Sequence, residues 1–142
     1  MQQICYVSKA TSVHPQLLSD LREILSEARN FNILNDIHGV LYYADGYFFQ
    51  CLEGKAEVLQ QLIIKLKKDR RHQDVILFNT KNIQETSFDG WSMKFVGRNS
   101  CVQQYLLDLG YKRFEPLNFT QAHVDQLLEH LVESKQGEVE VC

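Results

Sequence analysis

Apolar residues recur along this chain with two periods, one of two residues and one of three to four, and the changes of period divide it into elements. Residues 37–54, IHGVLYYADGYFFQCLEG, carry β-formers on both sides of Asp45-Gly46. Such a pair tolerates the positive φ torsions of a two-residue type I′ turn, so a tight antiparallel hairpin is predicted. With that loop Leu41 pairs with Gln50, Tyr43 with Phe48 and Gly39 with Leu52, and paired residues share a face. The opposite face collects Val40, Tyr42, Phe49 and Cys51. Both faces are apolar, so the hairpin is expected to be covered on both sides. Gln50 breaks the pattern. It is a carboxamide among Leu41, Phe48 and Leu52, and a buried amide without partners costs about 1–3 kcal/mol. A neighbouring side chain, a water or a polar ligand lying on the sheet must satisfy it.

Upstream, residues 3–8 alternate as a first strand with Ile4, Tyr6 and Ser8 on one face. Pro15 suits a first helical position with Ser12 or His14 near the cap. Leu17, Leu18, Leu21, Ile24, Leu25 and Ala28 then keep helical spacing to about Asn30. Asn30, Asn32 and Asn35 break that helix. Downstream of the hairpin, Val58, Leu59, Leu62, Ile63 and Leu66 mark a second amphipathic helix running into KLKKDRRH at residues 65–72. Residues 74–80 read as an interior strand. Residues 91–95 read as a final strand with Trp91, Met93 and Phe95 facing one way and Ser92 and Lys94 the other. The order β-α-β-β-α-β-β with right-handed crossovers puts both helices on one face of a mixed sheet, an α+β, ferredoxin-like arrangement. Two further helices, about 98–109 and 119–134, are the natural cover for Val40, Tyr42, Phe49 and Cys51, and a polar tail follows them.

Composition narrows the class. At 142 residues and 44% hydrophobic, the chain reads as globular and long enough to bury a core. No apolar run approaches a membrane span, and MQQICYVSKA lacks the basic-then-apolar build of a signal peptide, so a cytoplasmic location is expected. A net charge of −3 argues against direct nucleic-acid binding, which usually presents a basic face. Cys5, Cys51, Cys101 and Cys142 form no CxxC and have no histidine at ligand spacing, so buried thiols are expected rather than disulfides or a metal site.

The polar residues divide unevenly between bland and sharp readings. The basic run at 65–72 reads most simply as a solvated helix end whose cations complement the dipole, with a phosphate-bearing ligand as the sharper alternative. Asn32 and Asn35 are ordinary helix-stop residues, and Trp91 and Met93 ordinary core. His38, Cys51 and His72 lack catalytic or metal spacing, and His123 and His130 lie on a helix that reads as structural. Tyr6 and Gln50 resist this treatment, because both put polar groups on a face that must bury helices.

Taken together, these pieces resemble the BLUF family, the flavin-binding blue-light sensor domains of bacteria. The resemblance rests on Tyr6 in CYVS, Asn32, HGVLYYADGYFFQCLEG with its Gln50, DRRH at residues 69–72 and WSM at residues 91–93. Their order and spacing match over about the first two-thirds of the chain. The resemblance implies a photosensor domain at residues 1–97, holding an isoalloxazine between its two helices, and a helical output extension at 98–142. Asn32 would hydrogen-bond the flavin's polar edge, and Gln50 would bridge Tyr6 and the ring. Lys65, Asp69 and His72 would lie toward the ribityl chain and phosphates, and Trp91 and Met93 would sit beside Gln50 on the last strand. FAD, bound non-covalently, is the implied cofactor, with FMN the alternative.

The implied mechanism is photosensing rather than enzymatic turnover. Tyr6 gives an electron and a proton to the excited flavin. The Gln50 amide is left rotated or tautomerised, a hydrogen bond to the flavin C4 carbonyl strengthens, and absorption moves to the red. The signal would leave through contact with a regulatory protein, with self-association left open. Three positions depart from the family pattern. Phe31 stands where many members carry a second Asn, His38 where Thr is common, and Lys65 where Arg is frequent; these bear on flavin affinity and on FAD against FMN. Two other classes compete. An acyl-phosphate hydrolase on the same fold needs an anion-binding loop, and KATSVHP has no glycine to shape one. A ligand-free interaction module, with Gln50 satisfied by protein groups, is the better rival, and the colour of the purified protein separates it from a sensor.

Overall fold

Asp45 and Gly46 close the hairpin with φ of 54° and 87°, the pair of positive torsions that a type I′ turn requires. In the computed structural model, which describes residues 1–11 and 16–134, the turn joins β2 (His38–Ala44) to β3 (Tyr47–Gly54). Leu41 pairs with Gln50, Tyr43 with Phe48 and Gly39 with Leu52, as the alternation predicts. Gly39 has no substitute here: a Cβ at this position would lie 2.4 Å from the Cys51 carbonyl oxygen.

Around the hairpin the order is β1 (Gln2–Ala10), α1 (Gln16–Asn35), β2, β3, α2 (Ala56–Lys68), β4 (His72–Leu77), β5 (Lys81–Asn82) and β6 (Lys94–Val96). Then come α3 (Ser100–Asp108), a 3-10 turn at Pro116–Asn118 and α4 (Gln121–Glu133). The sheet runs β4-β1-β3-β2-β6, with β5 also beside β1 and β6 parallel to β2. Ile4, Tyr6, Leu41, Phe48 and Leu52 pack against α1 and α2. Cys5, Val7, Val40, Tyr42, Phe49 and Cys51 pack against α3 and α4 on the opposite face. The mixed α+β, ferredoxin-like fold, with cover on both faces, is therefore as the patterning predicts. The predicted cap at Ser12, His14 and Pro15 lies outside the described residues.

Four expectations need correction. The first helix does not stop near Asn30 but continues to Asn35, so Asn32 lies inside it. It ends where Asp36 takes a φ of 53° and the Ile37 N–H donates to the Asn32 carbonyl, a Schellman-type closure. The run 74–80 is not interior: β4 is an edge strand with β1 as its neighbour. Val75 and Phe78 reach the two cores, whereas Ile76 and Leu77 stay 37% and 40% exposed. Asp74 at φ 54° and a register shift in β1 between Val7 and Lys9 break the alternation that the apolar run suggests.

The last strand is shorter than residues 91–95. Trp91 lies outside β6 and is 38% exposed, because its N–H donates to the Phe88 carbonyl in a turn. The opposite facing of Met93 and Phe95 against Lys94 does hold: the first two join the α1/α2 core, and the Lys94 ammonium donates to the Leu131 and Val132 carbonyls at the end of α4. Cys5 and Cys51 are buried free thiols, but Cys101 is disulfide-bonded. It precedes Val102 in the first turn of α3 and lies off that helix's buried stripe of Val102 and Leu106.

Candidate functional site

A cavity of about 330 Å³ opens between α1 and α2, with Gln50 and Leu52 of β3 among its lining residues. Ile24, Ala28 and Phe31 of α1 face Leu62 and Leu66 of α2 across it, and Asp69, Arg71 and His72 line it from the loop into β4. The helices leave this gap because each gives the sheet a narrow apolar stripe: Leu17, Leu21 and Ile24 in α1, Leu59 and Ile63 in α2. Walls of aliphatic and aromatic side chains with a few fixed polar groups are what a planar heterocyclic ligand needs.

Gln50 stands where the cavity meets the sheet. Tyr6 is opposite it in the β1–β3 ladder, and the Tyr6 hydroxyl donates to Gln50 Oε1. Gln50 Nε2 is 3.8 Å from the Met93 sulfur. Burial, and after it the Asp69 carboxylate, pushes the Tyr6 phenol far above its ordinary value, so this hydroxyl keeps its proton and acts as a donor. An amide that accepts from a hydroxyl at its oxygen and meets only a thioether at its nitrogen is asymmetrically satisfied. Inverting it would exchange donor for acceptor at both ends.

Asn32 is buried with its Nδ2 donating to the Ser92 carbonyl at 2.6 Å, while its Oδ1 has no partner. Three residues earlier on α1, Arg29 Nε donates to the Met93 carbonyl at 3.2 Å, so α1 grips the segment before β6. His72 sits 2.8 Å from Ser8 Oγ through Nδ1, and its buried Nε2 is also unpartnered. Burial lowers the His72 imidazole below its ordinary value; Asp69 opposes this and Arg71 adds to it. Its ring lies edge-on to Tyr6 and tilted against Phe48, with centroids 6.3 and 4.8 Å away.

At the mouth, Asp69 accepts from the Arg71 backbone N–H and from the guanidinium, which also donates to Glu27 of α1 at 2.8 Å. Burial pulls the Asp69 carboxyl up, but these bonds outweigh it and hold the group below the usual carboxylate range. Two of the departures from the family pattern meet here, since Lys65 Nζ lies 5.1 Å from the Phe31 ring centroid. Of the residues singled out in the sequence, Asn32, Gln50, Lys65, Asp69 and His72 line the cavity, while Tyr6 and Met93 lie against Gln50 behind it. Trp91 does not line it; its ring is 5.9 Å from the Lys94 ammonium. Arg71, Arg29 and Ser8 were not foreseen. Arg71 was legible in DRRH, but Arg29 and Ser8 act through contacts more than sixty residues away in sequence.

A flavin fits these residues. Its ring carries an imide N–H for the orphaned Asn32 oxygen and acceptors for the Gln50 amide, and the apolar walls match its faces. Among the described residues no cluster of His, Cys, Asp and Glu is placed to hold a metal ion, and no helix is long and apolar enough to cross a membrane.

The family model described as "Sensors of blue-light using FAD" matches residues 1–94, and the chain belongs to that family, BLUF. It is thus a member of a family of flavin-dependent blue-light sensors, with FAD as the family's cofactor. Among solved structures it is similar to the ground state of BlsA, at 44% identity and a TM-score of 0.92, over 96% of this chain and 91% of that one. It is also similar to the dark state of BlrB, at 26% identity and a TM-score of 0.77, over 92% and 94% of the two chains. A photoactivated adenylate cyclase subunit beta of Euglena longa is 34% identical over 91 residues, which are 63% of this chain and 10% of that protein. The chain spans about a tenth of the length of the curated relatives it matches.

Proposed function

We propose that this chain senses blue light through the Tyr6–Gln50 pair and passes the signal to a regulatory protein by changing shape rather than by catalysing a reaction. The observation that carries this reading is the Tyr6 hydroxyl bonded to an amide that also lines the cavity and touches Met93. A bound flavin supplies the blue absorption and the electron acceptor. Tyr6 is the nearby phenol that gives up an electron and a proton, and Gln50 is the group whose donor and acceptor ends exchange. Asn32, Lys65, Asp69 and His72 hold the cofactor, which is non-covalent. Residues 1–97 form the sensor and 98–142 the output extension, reached through Met93 and β6; self-association stays open.

The decisive experiment is absorption of the purified protein in the dark and under blue light. A reversible red shift of the flavin band is expected, together with full release of pigment into the supernatant on acid denaturation. A colourless protein, or an irradiated one with no shift, overturns the reading.

A further inference from the structure

A second cavity, of about 230 Å³, lies at the opposite face of the sheet, between the hairpin turn and α3. Its polar lining comprises Tyr42, Asp45, Arg98, Gln103, Lys112 and Arg113, three cations and one carboxylate in a chain of net charge −3. We propose that it is an oxyanion site, taking the phosphate or carboxylate groups of a small multivalent anion.

The fold builds this site in steps. Tyr42 pairs with Val96 across the β2–β6 ladder, and Arg98 follows β6 by two residues, so sheet register sets the phenol and the guanidinium side by side. Tyr42 is buried and edge-on to Phe114, with centroids 4.9 Å apart, which fixes its ring. Burial, with Asp45 adding and Arg98 opposing, raises the Tyr42 phenol, so its hydroxyl stays a donor beside both groups. Asp45 is the one acidic residue of the lining, and it is already engaged: Arg98 donates to one oxygen and the Phe114 N–H to the other. Arg113 Nε faces Glu115 at 3.3 Å, and among the described residues Lys112 forms no ion pair. A basic stretch spread over a convex surface is ordinarily solvated. Here the donors converge on a concavity with a phenol in it, the arrangement that binds oxyanions through charge-assisted bonds. The cavity holds one or two small anionic groups and is too small for a second flavin.

The test is an NMR titration of the full-chain, flavin-loaded protein in the dark, with inorganic phosphate and separately with citrate, at constant ionic strength. Saturable shifts are expected at the amides of Arg98, Gln103, Lys112 and Arg113 in at least one arm, and the arm that saturates distinguishes phosphate from carboxylate chemistry. Arg98→Gln should weaken the apparent affinity about tenfold. Because Arg98 also holds the hairpin turn, Lys112→Gln with Arg113→Gln is the second variant; both positions are exposed, and the one ion pair it removes is the exposed Arg113–Glu115 contact. Shifts linear in anion with both probes, or unchanged by the double variant, overturn the proposal. The two cavities share no lining residue and lie on opposite faces of the sheet, so flavin absorption reports separately on the sensor.

Discussion

On one face of the sheet Val7, Val40, Tyr42, Phe49 and Cys51 meet α3 and α4 in a continuous apolar core, with Val124, Leu127 and Leu131 fully buried against them. On the other, Ile4, Tyr6, Leu41, Phe48 and Leu52 meet α1 and α2 around Gln50, Asn32, His72 and an open cavity. The same strands supply both faces, so the difference lies in what each pair of helices returns. Apart from the smaller cavity beside the hairpin turn, α3 and α4 close the sheet with side chains alone. α1 and α2 stand apart and leave two polar atoms, on Asn32 and His72, without partners. A closed core contributes stability, whereas a cleft with unmet polar groups gives up some of it in exchange for a ligand and a movable amide.

The contrast can be broken most sharply at the switch. Tyr6→Phe removes the hydroxyl and Gln50→Leu the bipolar amide, and each is expected to abolish the light-induced red shift outright while flavin stays bound. Difference spectra of the two variants check this; a full, reversible shift in either would return the cleft to the role of a simple binding pocket.

Next come the cores themselves. Leu127→Ala, on the closed face, should cost about 2–5 kcal/mol, because a fully buried leucine leaves a cavity that its neighbours cannot fill. Leu62→Ala, half-buried at the cleft wall, should cost less than about 2 kcal/mol before flavin is added. Urea unfolding of flavin-free protein measures both, and equal costs would erase the distinction between the faces.

The legible half of the molecule follows the same division. The hairpin and its register follow from period-two alternation around one turn, because a two-residue loop leaves no freedom in pairing. Alternation also puts Tyr6 and Gln50 on faces that must be buried, but their partnership, made across β1 and β3, is what the family resemblance implies. β4 and Trp91 depart from their sequence pattern for the opposite reason. A run such as VILF carries no mark of which edge of the sheet it will occupy, and a tryptophan in alternation with Met93 and Phe95 looks like core. Only the Asp74 torsion and the Phe88–Trp91 turn decide otherwise. Within the site, Gln50 stands out by alternation, whereas Asn32, Lys65, Asp69 and His72 carry no local mark and are pointed to by the family resemblance alone. Contacts such as Arg29 to Met93 and Ser8 to His72 depend on tertiary closure and leave no local pattern.

Asn32→Ala then probes the cleft's unmet polarity. It removes the orphaned oxygen and the 2.6 Å bond to the Ser92 carbonyl together, and is expected to cost about 1–3 kcal/mol of flavin affinity. Fluorescence titration with riboflavin, FMN and FAD reads this out. An unchanged dissociation constant for all three would mean that Asn32 serves only to hold Ser92.

Adjacent residues at the start of β6 join the two faces. Met93 touches Gln50, and Lys94, buried on the other side, caps the α4 carbonyls of Leu131 and Val132. Lys94→Met keeps the length of the stem but removes the ammonium, so about 1 kcal/mol of helix-end stabilisation should go. In the unaltered protein, light is expected to change hydrogen exchange over residues 94–109 and across α4. In the variant the α4 component should be lost while the red shift remains. Exchange in α4 that responds equally in both proteins would exclude Lys94 as the connection.

The smallest expected effect is a pH dependence that belongs to the cleft alone. His72 is buried beside Tyr6, and burial holds its imidazole below the ordinary value, with Asp69 opposing and Arg71 reinforcing. A histidine whose folded value lies below its unfolded one folds in the neutral form. Above about pH 6.5, the unfolded value, nothing is lost. As pH falls below that, the unfolded chain binds the proton more readily than the fold does, and stability declines until the lowered folded value is passed. Flavin-free protein should therefore soften gradually in mild acid, and His72→Gln, which keeps a polar group near Ser8, should flatten that part of the profile. Urea midpoints across this range, compared between the two proteins, decide the point. Identical slopes would place the acid sensitivity in groups other than His72 and remove this asymmetry between the faces.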